Sequence, residues 1–215
     1  MRRLCLVPST FTFFFLQDLV SLLSKKHSDF EFDTATNLLS FLKNKDWIII
    51  SDSNNFRIHK RLKQVVLRNL KQIKSAEKEN ALLDVTNYFV QALKESKTNF
   101  FNADKGGNRW EENIENFLFD QQKTNILGVL KGQLKQRVAG IENAETARNI
   151  CREVIQCWEF LQRVIEPKDQ KQVLAACIDR YTRGGNDEND DGTKKKLENL
   201  AVNVTCASSG DDTTE

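Results

Sequence analysis

The chain has 215 residues, of which 40% are hydrophobic and 29% are charged, so it is long enough to bury the core of one or two compact domains. Its formal charge of +2 excludes a protein that is strongly basic throughout, so any attraction to a polyanion must be local. A mean hydropathy of −0.51 and the lack of an apolar run of about 18 residues argue against a membrane-spanning helix, and only two prolines interrupt the stretches available for helices.

The five cysteines predict buried, reduced thiols. None forms a Cys-x-x-Cys pair, and an odd number in a chain of this length does not indicate a disulfide framework. Cys151, Cys157 and Cys177 lie among apolar residues with helical spacing, where a free thiol packs as a small apolar group. We therefore expect a reducing compartment and a cytoplasmic location.

Residues 1–32 are interpreted as an N-terminal apolar helix. Arg2 and Arg3 precede the apolar run Leu4–Leu16, which loosely resembles a secretory signal. Pro8 interrupts that run and no small-x-small cleavage site follows it, so a signal is the less favoured interpretation. The apolar run as the remnant of a preceding domain is a further alternative.

Between Asp33 and Ile73 the patterns predict a helix, a β-hairpin and a second helix. Asp33 can cap the first helix. Trp47–Ile50 is an aromatic and β-branched run followed by turn-forming residues, and it carries the clearest strand signal in the chain. Apolar spacing predicts the second helix from about Lys60 to Ile73. Helix, hairpin, helix is the order of half a winged-helix module, so residues 33–74 form the winged-helix-like segment.

Residues 75–182 predict a helical bundle or a short α-solenoid of TPR-like repeats, with a loop at Thr98–Asn108. Ala147–Ile165 shows the clearest helical spacing, and Pro167 suits the first turn of a final helix that ends near Tyr181. From 183 to 215 the composition is polar, and we predict a disordered tail. The fold class is therefore mainly α.

The segment FDTATNLLSFLKNKDWIIISDSNNFRIHKRLKQVVLRNL resembles the winged-helix region of signal-transduction ATPases of the NB-ARC (STAND) class. The likeness extends more loosely through residues 33–96 into the superhelical repeats that often follow in that family. The matching residues are Leu38, Leu39, Phe41 and Leu42, then Trp47–Ile50, then Phe56, Ile58 and His59, and finally Leu62, Gln64 and Val65.

The resemblance implies a role for His59. In that family the histidine after the second strand contacts the phosphate of a bound nucleotide, and an imidazole can donate a hydrogen bond to a phosphate oxygen. Two features of this chain differ from the family: Lys60 stands where plant members usually carry Asp, and no Gly-x-x-x-x-Gly-Lys-Ser/Thr loop is present to hold phosphates. We expect no cofactor, and a surface histidine at the start of a helix is the alternative for His59.

A basic segment between residues 57 and 74 suggests a second function. It contains seven Lys and Arg residues and no acid. Winged helices often bind DNA, and such a stripe would supply phosphate contacts. The residues proposed to bind nucleic acid under this alternative are Arg57, Lys60, Arg61 and Lys63.

No sequence signature indicates catalysis or a metal site. The two histidines are far apart in the chain, and the acidic runs lie in polar surroundings with no apolar pocket implied. The preferred hypothesis is a non-catalytic adaptor or regulatory module that binds a protein partner, as a fragment or degenerate relative of a STAND-type switch protein. The first alternative is a winged-helix protein that binds nucleic acid through residues 57–74. The second is an enzyme, which would need an apolar cleft with convergent polar groups that no sequence signature indicates.

Overall fold

The computed structural model describes residues 1–26, 30–52, 55–73, 75–105, 114–133, 144–183 and 191–209. The N-terminal part alternates short helices and strands. Its elements are α1 (Arg2–Leu6), β1 (Phe11–Thr12), α2 (Phe13–Lys26), α3 (Ala35–Asn44), β2 (Ile48–Asp52), β3 (Asn55–Ile58) and α4 (Lys60–Gln72). The rest of the described chain is helical. Its elements are α5 (Ser75–Lys105), α6 (Ile114–Leu130), α7 (Ala144–Gln156), α8 (Trp158–Val164), α9 (Pro167–Arg183) and α10 (Asp191–Ser209).

The three strands form one antiparallel sheet in the order β1-β3-β2. The predicted hairpin is confirmed as β2 and β3, with Ile48 opposite Ile58. Strand β1 was not predicted. Its Phe11 pairs with Phe56 across the ladder, and the two rings lie 6.0 Å apart between centroids. Because β1 has only two residues inside an aromatic run, no alternation of polar and apolar residues marks it in the sequence.

Helix α3 is held by a local cap and by one buried stripe. The Thr34 hydroxyl oxygen accepts a hydrogen bond from the backbone N–H of Asn37 at 3.2 Å, and so occupies an amide donor of the first turn. Ala35, Leu38 and Leu42 are buried at helical spacing. The predicted Asp33 cap is therefore displaced by one residue, and the Asp33 side chain instead accepts from the Asn37 side chain.

The C-terminal helices form a bundle, as the sequence predicts for residues 75–182. Helix α5 packs along α6, while α9 packs against both α7 and α10. The final predicted helix is confirmed, since α9 begins at Pro167 and extends slightly past Tyr181 to Arg183. The apolar pattern over Ala147–Ile165 breaks into α7 and α8 near Cys157.

Two boundaries differ from the prediction. The loop expected at Thr98–Asn108 is helical through Lys105, because Phe100 is buried and anchors the last turns of α5. The tail expected to be disordered over 183–215 contains helix α10. Leu197 and Val204 of this helix are fully or nearly fully buried, so two aliphatic anchors seven residues apart stabilise an otherwise polar segment. The remaining tail residues, 184–190 and 210–215, lie outside the described part.

The N-terminal segment belongs to the common core and is not a separate helix over 1–32. The side chain of Asn125 in α6 accepts from the backbone N–H of Ser9 at 2.8 Å and donates to the carbonyl oxygen of Thr10 at 2.6 Å. Gly128 allows a close approach beside it, since a Cβ there would lie 2.8 Å from two carbons of Pro8. Across the described ranges, no helix is both long and apolar enough to cross a membrane.

Candidate interaction surfaces

The first candidate site is an exposed basic surface on β3 and α4, which we call the basic face. None of its members has an ion pair within the described part of the chain, and no acid occurs between residues 53 and 76. The basic face consists of Arg57, Lys60, Arg61, Arg68 and Lys71. It includes three of the four residues predicted to bind nucleic acid.

Lys63, the fourth predicted nucleic-acid contact, points toward the protein. Its Nζ donates a hydrogen bond to the carbonyl oxygen of Val7 at 2.8 Å, and its side chain is half-buried. Lys63 therefore ties α4 to the segment after α1, and it does not extend the basic face. Helical spacing alone does not distinguish Lys63 from Lys60, because the sequence does not show which side of α4 packs against the rest of the protein.

His59, the residue implied to contact nucleotide, precedes α4 as its N-cap residue and is exposed. Its side chain makes no capping hydrogen bond. Its backbone N–H donates to the carbonyl oxygen of Trp47 at 2.9 Å, which joins the end of β3 to the start of β2. The backbone of His59 therefore has a structural role in closing the hairpin, independent of the imidazole.

Charge is unevenly divided along the chain. Residues 1–74 hold 13 of the 32 Lys and Arg residues but only 6 of the 30 Asp and Glu residues. The remaining 141 residues therefore carry a net negative charge, although the whole chain is nearly balanced. Any attraction to a polyanion would therefore be stronger for residues 1–74 than for the rest of the chain.

The exposed side of α3 is polar and carries little charge. This side consists of Thr36, Asn37, Ser40, Lys43 and Asn44. Lys43 lies with its Nζ 5.8 Å from the centroid of the Phe56 ring, so its charge is held near the hairpin. Uncharged amides and hydroxyls can read base edges or contact a protein, so this side alone does not distinguish the two functions.

The second candidate site is a cleft of about 260 Å³ between α2, α5 and α6, which we call the α2–α5 cleft. It combines two aromatic rings, two carboxylates and several small polar groups. Its lining residues are Phe14, Asp18, Tyr88, Ala92, Glu95, Ser96, Asn99 and Gln122. Phe14 is 60% exposed, whereas the next residue, Phe15, is 2% exposed.

The rear of the α2–α5 cleft is fixed by aromatic packing. The ring of Phe15 stacks on Phe89 at a centroid distance of 5.7 Å and meets Tyr88 edge to face at 4.7 Å. These contacts hold α2 and α5 at a set separation, because rigid rings interdigitate in the core. The cleft is therefore part of the packed fold.

Two carboxylates give the α2–α5 cleft its negative charge. Neither Asp18 nor Glu95 has an ion pair among the described residues, and Glu95 accepts only a hydrogen bond from Gln91 at 2.9 Å. Partial burial raises the pKa of Asp18, and the nearby charge of Glu95 raises it further. Burial, together with Asp18 and Glu95, also raises the pKa of Tyr88.

The α2–α5 cleft was not predicted, although a signal for it exists in the sequence. Phe14 and Asp18 are four residues apart on α2, and Tyr88, Ala92, Glu95 and Asn99 recur at spacings of four, three and four on α5. Such spacings put each set on one side of its helix. Which side stays open depends on how α2, α5 and α6 pack together.

The cysteines that the structure describes are placed as structural thiols. Cys5, Cys151, Cys157 and Cys177 are buried thiols that form no disulfide. Burial raises the pKa of both Cys5 and Cys157 to about 11. A thiol with so high a pKa is protonated at neutral pH and is a poor nucleophile or metal ligand. Within the described ranges, no group of three or more His, Cys, Asp and Glu side chains could hold a metal ion.

Comparisons with models of protein families, with curated proteins and with solved structures gave no match for this chain. The candidate sites therefore rest on their own geometry.

Proposed function

We propose that the chain is a non-catalytic adaptor or regulatory module that binds a protein partner in the α2–α5 cleft. The N-terminal unit is a winged helix, and the C-terminal helices form the scaffold that completes the cleft. Cys5, Cys151, Cys157 and Cys177 form no disulfide, so a reducing location such as the cytoplasm is part of this proposal.

The order of elements supports the winged-helix assignment. Winged helices run helix, strand, helix, helix, strand, strand, and their three strands are arranged with the last one in the centre. Elements α1 to β3 follow that order, with the sheet order β1-β3-β2. The proposed unit therefore begins at residue 1, not at residue 33 as the sequence predicted, and α4 follows it. A relationship to STAND-type proteins, and the nucleotide role of His59, stay predictions from sequence resemblance.

The exposure of Phe14 beside the cleft is the observation that carries the proposal. Phe14 has 60% of its surface exposed to water, so a partner that covers the ring would gain the free energy of burying that apolar surface. Aromatic side chains at the edge of a concave site commonly dominate the binding energy of an interface. Phe14 meets that description because the cleft opens next to it.

The test is a selection of peptides from a displayed random library against the purified chain. We expect enriched peptides whose affinity falls by roughly tenfold with Phe14→Ser, as for the loss of a central aromatic contact. Val202→Ser is the matched control, because Val202 is also 60% exposed but lies on α10. Enriched peptides that bind Phe14→Ser and the unchanged chain equally would refute the cleft as the binding site.

The second candidate function is nucleic-acid binding by the basic face. It is favoured by the five exposed cations without an ion pair in the described structure and by the positive charge of residues 1–74. Phosphate contacts of this kind release counterions, so affinity falls steeply as salt increases.

Fluorescence anisotropy with a labelled DNA duplex at about 50 and 200 mM salt tests this candidate. If the basic face binds phosphates, Arg57→Gln, Lys60→Gln and Arg61→Gln together should reduce the salt slope by roughly three. The matched control neutralises three exposed lysines of α9 and α10: Lys168, Lys171 and Lys195. An equal loss with the control triple, or binding that does not change with salt, would rule out a specific role of the basic face.

A further inference from the structure

The size of the α2–α5 cleft limits what can enter it. Pockets for drug-sized ligands usually enclose about 300–1,000 Å³. At about 260 Å³ and open on one side, this cleft is suited to a single long side chain presented by a partner. The ring of Phe14 and the methyl group of Ala92 provide apolar surface for the stem of such a side chain.

The charges of the cleft indicate which chemical group the partner's side chain carries at its tip. Asp18 and Glu95 place two negative charges on one small cavity with no cation paired to them within the described structure. Gln122 also lines the cleft, but its side chain hydrogen-bonds Tyr88 and its amide nitrogen lies 3.4 Å from the hydroxyl oxygen of Thr12, so the two carboxylates carry the assignment. Carboxylate oxygens only accept hydrogen bonds, so the group that satisfies them must be a donor.

We propose that the α2–α5 cleft binds the cationic side chain of a lysine or arginine in a segment of the partner protein. This inference rests on the proposed function, which places the partner in the cleft. The aliphatic stem lies along Phe14 and Ala92, and the ammonium or guanidinium group lies between the carboxylates of Asp18 and Glu95. Tyr88 contributes an aromatic surface that also favours a cation.

The electrostatics of Asp18 support the same assignment. The pKa of Asp18 is raised because the carboxylate is partly desolvated beside Glu95. A bound cation would outweigh both causes of that shift, since it supplies hydrogen bonds and an opposite charge to the ionised carboxylate. Binding would therefore lower the pKa of Asp18, which is a separate observable from affinity.

The experiment uses four acetylated and amidated hexapeptides with identical flanks and lysine, arginine, norleucine or glutamate at one central position. Binding is followed by NMR of the full chain, through the Ala92 methyl group and the Asp18 carboxyl carbon. We expect the lysine and arginine peptides to bind roughly tenfold more tightly than the norleucine peptide and to lower the pKa of Asp18.

Asp18→Asn with Glu95→Gln should abolish the preference for lysine and arginine. The control pair, Glu166→Gln with Glu198→Gln, removes two exposed carboxylates elsewhere and should leave the preference unchanged. Equal affinity of the norleucine and lysine peptides would refute the cation site while leaving partner binding in the cleft intact. If peptides selected from the library also fail to perturb Ala92 in the folded chain, the proposed function fails with it.

Discussion

The basic face and the α2–α5 cleft differ both in charge and in construction. The basic face uses side chains from a single strand and the helix that follows it, all within fifteen residues. The cleft needs residues from α2, α5 and α6 that are more than one hundred positions apart, between Phe14 and Gln122. The basic face is exposed strand and helix surface, whereas the cleft is concave and partly desolvates Asp18.

This difference bears on which surface can be selective. Exposed cations on a helix contribute little to stability, attract many polyanions and are screened by salt. A carboxylate that is partly desolvated beside a like charge, as Asp18 is beside Glu95, has a higher electrostatic cost, so it discriminates better between ligands. We therefore expect substitutions of buried residues that support the cleft to change the free energy of unfolding more than substitutions of exposed cations on the basic face.

The largest contrast is expected between two neighbouring phenylalanines, Phe14 in the cleft and Phe15 in the core behind it. Phe15→Ala removes a buried ring that packs against Tyr88 and Phe89, and should lower the free energy of unfolding by about 3–5 kcal/mol. Phe14→Ala removes an exposed ring and should change it by no more than about 0.5 kcal/mol. Urea denaturation of both variants measures the difference. Similar losses in the two variants would mean that Phe14 supports the fold, which would weaken its assignment to partner binding.

How well an element can be predicted from the sequence depends on how far apart along the chain the residues that stabilise it lie. The hairpin and α9 are encoded locally, by the run Trp47–Ile50 and by Pro167 in a first turn, and both were predicted. Strand β1 was not, because it depends on pairing with Phe56, which is far along the chain. Helix α10 was not predicted either, although the helix it packs against, α9, is its neighbour in sequence. The tail was misjudged because its average composition is polar, although two aliphatic residues suffice to anchor α10.

The residues of the candidate sites also divide into those that a local sequence pattern identifies and those that depend on distant contacts. Arg57, Lys60 and Arg61 were found from sequence because a run of cations without acids is a local pattern. Lys63 belongs to the same run, yet its hydrogen bond to Val7 is invisible in sequence. The cleft, like β1, depends on contacts between residues that are far apart along the chain. Helical spacing predicts which residues share one side of α2, but not which helix that side faces.

A smaller effect should separate Lys63 from its neighbour Lys60. Lys63→Met keeps the apolar stem but removes the charged donor to the Val7 carbonyl oxygen, and should lower the free energy of unfolding by about 1.5 kcal/mol. Lys60→Met should have an effect within about 0.5 kcal/mol, because Lys60 is exposed. Urea denaturation compares the two. If Lys60→Met is the more destabilising substitution, the basic face has a structural role and its cations are not free for a ligand.

The smallest effect, and the one that isolates the charge of the cleft, is the pH dependence conferred by Asp18. Its pKa in the folded chain lies above the ordinary 3.8, so Asp18 favours folding when protonated. That contribution is complete below the ordinary pKa and is lost as pH rises through the folded-state pKa. Asp18→Asn cannot ionise, so its stability relative to the unchanged chain should be greater at pH 7 than at pH 3.5.

Denaturation at several pH values measures this difference, and Glu95→Gln separates its two causes. Removing the charge of Glu95 should lower the pKa of Asp18 part of the way toward 3.8, because the remaining elevation comes from partial burial, the larger cause. A pKa that does not move would show that the two carboxylates do not interact, and a single cation could not then bridge them. A pKa that falls would show that the charge of Glu95 opposes the ionisation of Asp18, and a basic partner residue placed between the two would relieve that opposition.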